Sequence, residues 1–167
     1  MSVSVSVSVD ATLDVPPAIR TRLRRELARM VTAAARHDGR KDYEVALRLC
    51  SDAAIRELNR DYRNKDKPTD VLAFAQRDGV IPGVGASPPP AISAAAADLL
   101  GDIVISIDTA KRQAKRGLSA ELLHLASHGL CHLLGYDHRD DAEERTMNER
   151  AAALRREAVR KGRVRPA

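Results

Sequence analysis

Four of the chain's five histidines fall within fifteen consecutive residues, His124-Leu-Ala-Ser-His128-Gly-Leu-Cys-His132-Leu-Leu-Gly135-Tyr-Asp-His138. His128 and His132 are four apart, so on a helix both imidazoles project from one face and can converge on a single ion. Gly135 can end that helix in a left-handed conformation and turn the chain back, which lets His138 bring a third imidazole to the same point. Three neutral nitrogens leave one tetrahedral position open for water, the arrangement of a catalytic rather than a structural zinc. Such an ion lowers the pKa of bound water from about 15.7 to roughly 7. The spacing therefore predicts one zinc ion held by His128, His132 and His138, and hydrolytic chemistry.

His124 shares the helix face but lies eight residues from His132, about 12 Å along a helix axis. Both cannot bind one ion, so His124 is read as a packed or supporting histidine. Asp137, next to a ligand, can orient an imidazole or take a proton, or serve only as a turn residue. Metzincin metalloproteases use the same histidine spacing, but their mechanism needs a glutamate directly after the first histidine as general base. Gly129 stands there, which disfavours a protease.

Several elements must position these groups. Residues 2–9 alternate serine and valine, placing Val3, Val5, Val7 and Val9 on one face of a strand. Pro16 and Pro17 open a helix with Ile19, Leu23, Leu27 and Val31 every four residues, and Gly39 ends it. Residues 43–49 read as a strand, Ser51 or Asp52 caps a helix to about Tyr62, and 71–75 read as a strand. The apolar run 103–107 is a buried strand, Asp108 or Thr109 begins a basic helix ending at Gly117, and Ser119 opens the histidine helix. A last helix spans roughly 141–161. The order βαβα–ββ–ααα predicts an α+β fold (an α/β-like sandwich): a small mixed sheet of about four strands, about five helices, and the metal-binding helix central. Residues 77–98 hold four prolines and three glycines, and read as a flexible insertion within one domain covering residues 1–167, which ends in a basic C-terminal tail.

At 167 residues, 44% apolar and 31% charged, the composition is that of an ordinary soluble domain. One Phe, three Tyr and no Trp argue against gripping bases on an aromatic platform. A net charge of +5 and a pI near 9.6 favour a polyanionic partner. The cationic residues gather near Arg20–Arg29 and Arg150–Arg165, either as solvated helix faces or as RNA contacts. Arg112 and Lys115 are candidate peripheral phosphate contacts. The two cysteines, Cys50 and Cys131, form no disulfide framework and read as buried small hydrophobes. No stretch reaches membrane-spanning length and no leader precedes an apolar run, so a cytoplasmic protein is expected.

The segment HGLCHLLGYDH resembles the signature HGxLHLxGYDH of the YbeY-type bacterial endoribonucleases, or rRNA maturation factors, with Cys131 replacing the usual leucine. Leu58-Asn-Arg-Asp-Tyr-Arg63 followed by Thr69-Asp70-Val-Leu-Ala-Phe74 is similar to that family's LNxxYR…TDVLSF, with Ala73 where serine is usual. Leu100-Gly-Asp-Ile-Val-Ile105 resembles its LGDIVI strand. The resemblance spans about residues 40–155. It implies a single-strand-specific, metal-dependent endoribonuclease acting on ribosomal RNA of the small subunit, in 3′-end maturation and ribosome quality control. It also implies metal ligation by His128, His132 and His138 and a functional role for Arg63, whose guanidinium suits charge developing on phosphate oxygens. The alternative from another class is a metal-stabilised ribosome-assembly factor that does not cut.

Overall fold

The computed structural model describes residues 2–40, 42–76 and 99–160. The expected insertion at 77–98 and the basic tail after residue 160 lie outside the described residues. The serine–valine repeat forms β1 (Ser2–Val9), followed by α1 (Pro17–His37), β2 (Asp42–Cys50), α2 (Asp52–Arg63) and β3 (Val71–Ala75). Then come β4 (Leu99–Ser106), α3 (Ile107–Gln113), α4 (Leu118–Leu133) and α5 (Asp141–Val159). The strands form one sheet in the order β1-β2-β4-β3, parallel except for β3, which runs antiparallel to β4. Among the described residues, the α+β architecture with four strands and five helices is as expected from the sequence.

Side-chain alternation explains which face each element covers. On one face, Tyr43, Val45, Leu47 and Leu49 of β2 and Ile103 and Ile105 of β4 join the main core with α1, α4 and α5. On the other, Val104, Leu72 and Phe74 form a smaller core with Ile55 of α2. Val7 is buried and Val3, Val5 and Val9 are partly buried against the main core, while Ser4, Ser6 and Ser8 are exposed. The repetitive N-terminus is thus a genuine amphipathic strand.

Three boundaries differ from the sequence reading. The strand expected at 103–107 begins at Leu99, because Gly101 lies at an irregularity in the β2–β4 register and lets pairing continue past it. Ser106, not Asp108 or Thr109, caps α3: its hydroxyl accepts from Thr109 N at 3.3 Å and donates to Asp52 Oδ1 at 2.6 Å. The basic helix stops at Gln113, and Gly117, at φ +96°, opens α4 instead of ending α3. By contrast, of the two caps expected for α2, Ser51 or Asp52, it is Ser51, its hydroxyl accepting from Ala54 N at 3.2 Å.

Two glycines set how closely layers approach. A Cβ on Gly129 would lie 2.8 Å from Cγ2 of Ile103, so α4 rests on β4 with only hydrogens between. At Gly101, φ is +140° and a Cβ would run into the carbonyl oxygen of Phe74. Gly101→Ala is expected to lower unfolding free energy by about 3 kcal/mol or more, the magnitude of a severe backbone conflict. Urea denaturation of parent and variant measures this, and a loss under about 1 kcal/mol would mean that β3 and β4 can separate freely there.

Candidate metal centre

The site grows from the burial pattern of α4. From Leu122 to Leu133, every residue of the helix is buried except His124, His128 and His132. A spacing of four residues puts these three on one stripe, the side that sheet and helices leave uncovered. His132 sits in the last turn. There the chain reverses in a Schellman motif: Tyr136 N donates to Cys131 O at 3.0 Å and Gly135 N to His132 O at 3.1 Å, with Gly135 at φ +99°.

That reversal carries His138 back to His132, their ring centroids 5.3 Å apart and the planes at 73°. Asp137 accepts from the His138 backbone N–H at 2.8 Å, which holds its carboxyl below the usual carboxylate range. Donor atoms of His132, Asp137 and His138 lie within 4.8 Å of one another. Two imidazoles and a carboxylate are ordinary zinc donors, and slight side-chain adjustment would bring them to the roughly 2 Å bond lengths such an ion needs. The residues fit a metal.

His128 stands apart from that trio. It is one turn before His132 on the same stripe, but its ring meets His124 edge-on, with centroids 4.5 Å apart. His124 is exposed, so of the two readings, packed or supporting, it is not the packed one; its ring lies against His128. Burial, then the neighbouring His124, Arg155 and His132, push the His128 imidazole down to about 4, with Asp70 pulling the other way. Burial also lowers His132, helped by His138 and opposed by Asp137. Both rings are therefore held neutral near pH 7, the form that can ligate. Burial pushes the thiols of Cys50 and Cys131 up to about 11, so neither is a reactive nucleophile at neutral pH.

Arg63 reaches the same place from the far side of the sheet edge. It is the last residue of α2, where Asn64 takes the left-handed conformation at φ 58°. Its Nη2 donates to Ala73 O on β3 at 2.8 Å, and the guanidinium carbon lies 5.8 Å from the centre of the Phe74 ring. Arg63, His132, Asp137 and His138 line one cleft of about 720 Å³, together with Lys65 and Lys67. The sequence reading had passed over these two lysines as part of a polar connection. Their closeness to Arg63 was the available signal, and Asn59, whose Nδ2 donates to Lys67 O at 2.8 Å, holds their loop in place. Arg112, a candidate peripheral phosphate contact, is paired with Asp52 at 2.8 Å, where it completes the α2–α3 junction.

Two of the three blocks that suggested a family from sequence, the one from Leu58 to Phe74 and the histidine segment, thus line a single cleft. The family model described as Endoribonuclease YbeY matches residues 14–158. The chain belongs to that family. Among relatives named Endoribonuclease YbeY, the protein of Anaeromyxobacter dehalogenans is 44% identical over 138 residues, 81% of this chain but 62% of the relative. That of Moorella thermoacetica is 46% identical over 132 residues, 77% of this chain and 81% of the relative. A protein from Thermotoga maritima, solved in solution, shares the fold at a TM-score of 0.54 and 24% identity, covering 92% of this chain and 88% of the other.

In this YbeY family member, Gly129 also bears on the protease alternative. Its Cα points at Ile103, so position 129 faces the sheet and has no room for a glutamate serving as base.

The histidine electrostatics give a pH signature for the metal-free protein. His128 binds a proton near 6.5 in an unfolded chain but only near 4 when folded. Between those values the unfolded chain carries more protons, so stability rises with pH through that window and is level above it. Melting temperatures of chelator-treated parent should fall as pH drops from 6.5 toward 4, and fall less steeply for His128→Gln. Parallel curves would mean that the imidazole titrates alike in both states.

Proposed function

We propose that this protein is a metal-dependent endoribonuclease that hydrolyses single-stranded RNA. We further propose that it acts in the cytoplasm on ribosomal RNA of the small subunit, in 3′-end maturation and ribosome quality control. The observation that carries the proposal is the shared cleft: Arg63, from one sequence block, faces His132 and His138, from another more than sixty residues away. Membership of the endoribonuclease YbeY family and the names of its relatives support the reaction class. No helix among the described residues is long and apolar enough to cross a membrane.

In this reading one zinc ion is held by His128, His132 and His138, and when bound it supplies a nucleophilic water near neutral pH and offsets phosphate charge. His132 and His138 are oriented by the Schellman turn. Asp137 lies close enough to accept a proton or to stand in as third donor, since it belongs to the compact trio and His128 does not. Arg63 would pair with nonbridging phosphate oxygens through the guanidinium nitrogens that Ala73 O does not occupy. Lys65 and Lys67 would add electrostatic attraction for the strand at the cleft mouth.

Ligand assignment is tested by metal content after purification without a histidine tag. One ion per chain is expected, with loss in His132→Ala and in His138→Ala. Loss in His128→Ala with retention in Asp137→Ala supports the three-histidine set, and the reverse assigns the third position to Asp137.

The role of Arg63 is tested by single-turnover cleavage at saturating RNA. Arg63→Ala should slow the reaction about 100- to 1000-fold, the usual cost of removing one donor to transition-state charge. Binding should weaken far less, and metal content should stay the same. Equal rates at saturation would make Arg63 a structural arginine of the β3 edge. Failure of the nuclease-free parent to cut any single-stranded RNA would favour an assembly factor that only binds.

A further inference from the structure

A second cleft, of about 680 Å³, opens on the other end of the histidine stripe, between the α3–α4 connection and α5. Lys115, Arg116, Arg155 and Arg156 line it, against one acidic residue, Glu121. Most other arginines of the described surface already have partners. Arg22, Arg48, Arg56, Arg60, Arg112, Arg139 and Arg160 are each in an ion pair. Arg20 and Arg29 donate to backbone carbonyls. Among the described residues no carboxylate pairs with any of the four cations of the second cleft.

Arg155 is the most informative of them. Its Nη1 donates to the hydroxyl of Ser127 at 2.8 Å, and Ser127, fully buried, donates in turn to His124 O at 2.7 Å. This chain fixes a partly desolvated guanidinium against α4 with no counter-charge. A cation so placed lacks both full hydration and an internal partner, and an incoming anion relieves that. The fixed side chain also loses little entropy on binding.

The histidine stripe of α4 runs from one cleft to the other. His124 lines the second cleft, its ring touches His128, and His128 is one turn from His132, which lines the first. Eight residues of helix separate His124 from His132, about 12 Å, the rise of three or four stacked nucleotides at roughly 3.4 Å each.

We propose that the second cleft is a phosphate-binding subsite for single-stranded RNA, holding the backbone three or four nucleotides from the bond cut at the metal centre. The subsite rests on the endoribonuclease reading for its substrate class. RNA is favoured over an acidic protein because the cleft continues the stripe that leads to the metal centre. The scarcity of aromatic lining residues fits recognition by charge and not by base stacking.

The probe is a series of fluorescein-labelled oligouridylates from 3 to 14 nucleotides, mixed rapidly with the metal-loaded protein so that binding is read before cleavage. Affinity should step upward once the strand exceeds about six nucleotides, enough to occupy both clefts with about 12 Å between them. The triple variant Lys115→Ala/Arg116→Ala/Arg156→Ala should abolish that step and bind the longest RNA at least about tenfold more weakly. Its log affinity should depend less steeply on log salt by about 2, from three contacts at roughly 0.7 each. Arg155→Lys, which keeps charge but loses the fixed fork, should retain part of the step. Affinity for the trinucleotide should match the parent's in both variants.

Equal losses for short and long RNA would overturn the proposal in favour of a diffuse electrostatic effect. An unchanged step would overturn it and leave the patch to an acidic protein surface. A parent that binds no RNA overturns this inference and the endoribonuclease reading together, whereas a parent with a length step insensitive to these charges overturns this inference alone.

Discussion

The close approach of α4 to the sheet constrains nearly everything else. Gly129 allows the helix to sit on Ile103 without a side chain between them, and the remaining buried residues of the helix pack against α1, α5 and β3. A helix so enclosed has no freedom to rotate, because any turn about its axis would carry Leu122, Leu125, Ala126 or Leu130 into water at about 1.5–3 kcal/mol per large side chain. The histidine stripe is therefore fixed by apolar packing. The polar residues of α4 past its first turn emerge where the core ends, except Ser127, which is buried and anchors Arg155.

The same enclosure sets the electrostatics. Half-burial keeps His128 and His132 neutral, and cations around them reinforce the effect: Arg155 acts on His128, and Arg63 on His132. A site bordered on both sides by guanidinium groups, with uncharged imidazoles between, has a positive field without positive ligands. Such a field attracts a polyanion while leaving the ring nitrogens free to bind a cation. Two groups of described basic residues accordingly differ in role. Arg20, Arg29 and Arg48 tie helices and strands together through carbonyls and Asp10, whereas those near the stripe face open clefts.

Much of this was legible in the residues. Period-two valines announced β1, the pair Ser51 and Asp52 announced the start of α2, and a glycine three residues past His132 announced the turn that returns His138. The less legible features depend on contacts between distant segments. Ser106 as the α3 cap depends on Asp52 arriving from α2, and the pairing of Arg112 with that same Asp52 cannot be seen from a basic helix read alone. Glycine misled at 117, where a positive φ opens a helix instead of closing one. At the site, spacing alone groups His128, His132 and His138, but it does not include ring orientation. The edge-on contact of His128 with His124 and the nearness of Asp137 come from side-chain torsions that no spacing rule contains.

The position of Arg63 shows how an edge strand can be put to use. β3 is short and lies at the border of the sheet, so some of its carbonyls have no strand to accept from. One of these, Ala73 O, accepts from Arg63 Nη2, and the flat guanidinium lies near Phe74 beneath it. Tyr62, the preceding residue, meets that same ring edge-on at 5.4 Å, which fixes the end of α2 against the strand. The arginine is thus held at its tip by one hydrogen bond and at its base by an aromatic pair, while its other nitrogens remain available to the cleft. A charge stationed in advance in this way does not have to reorganise when negative charge builds on a bound phosphate, and that is the condition under which one guanidinium is worth most. The sheet edge, usually a hazard for aggregation, is here both covered and used to hold the guanidinium proposed to meet the phosphate.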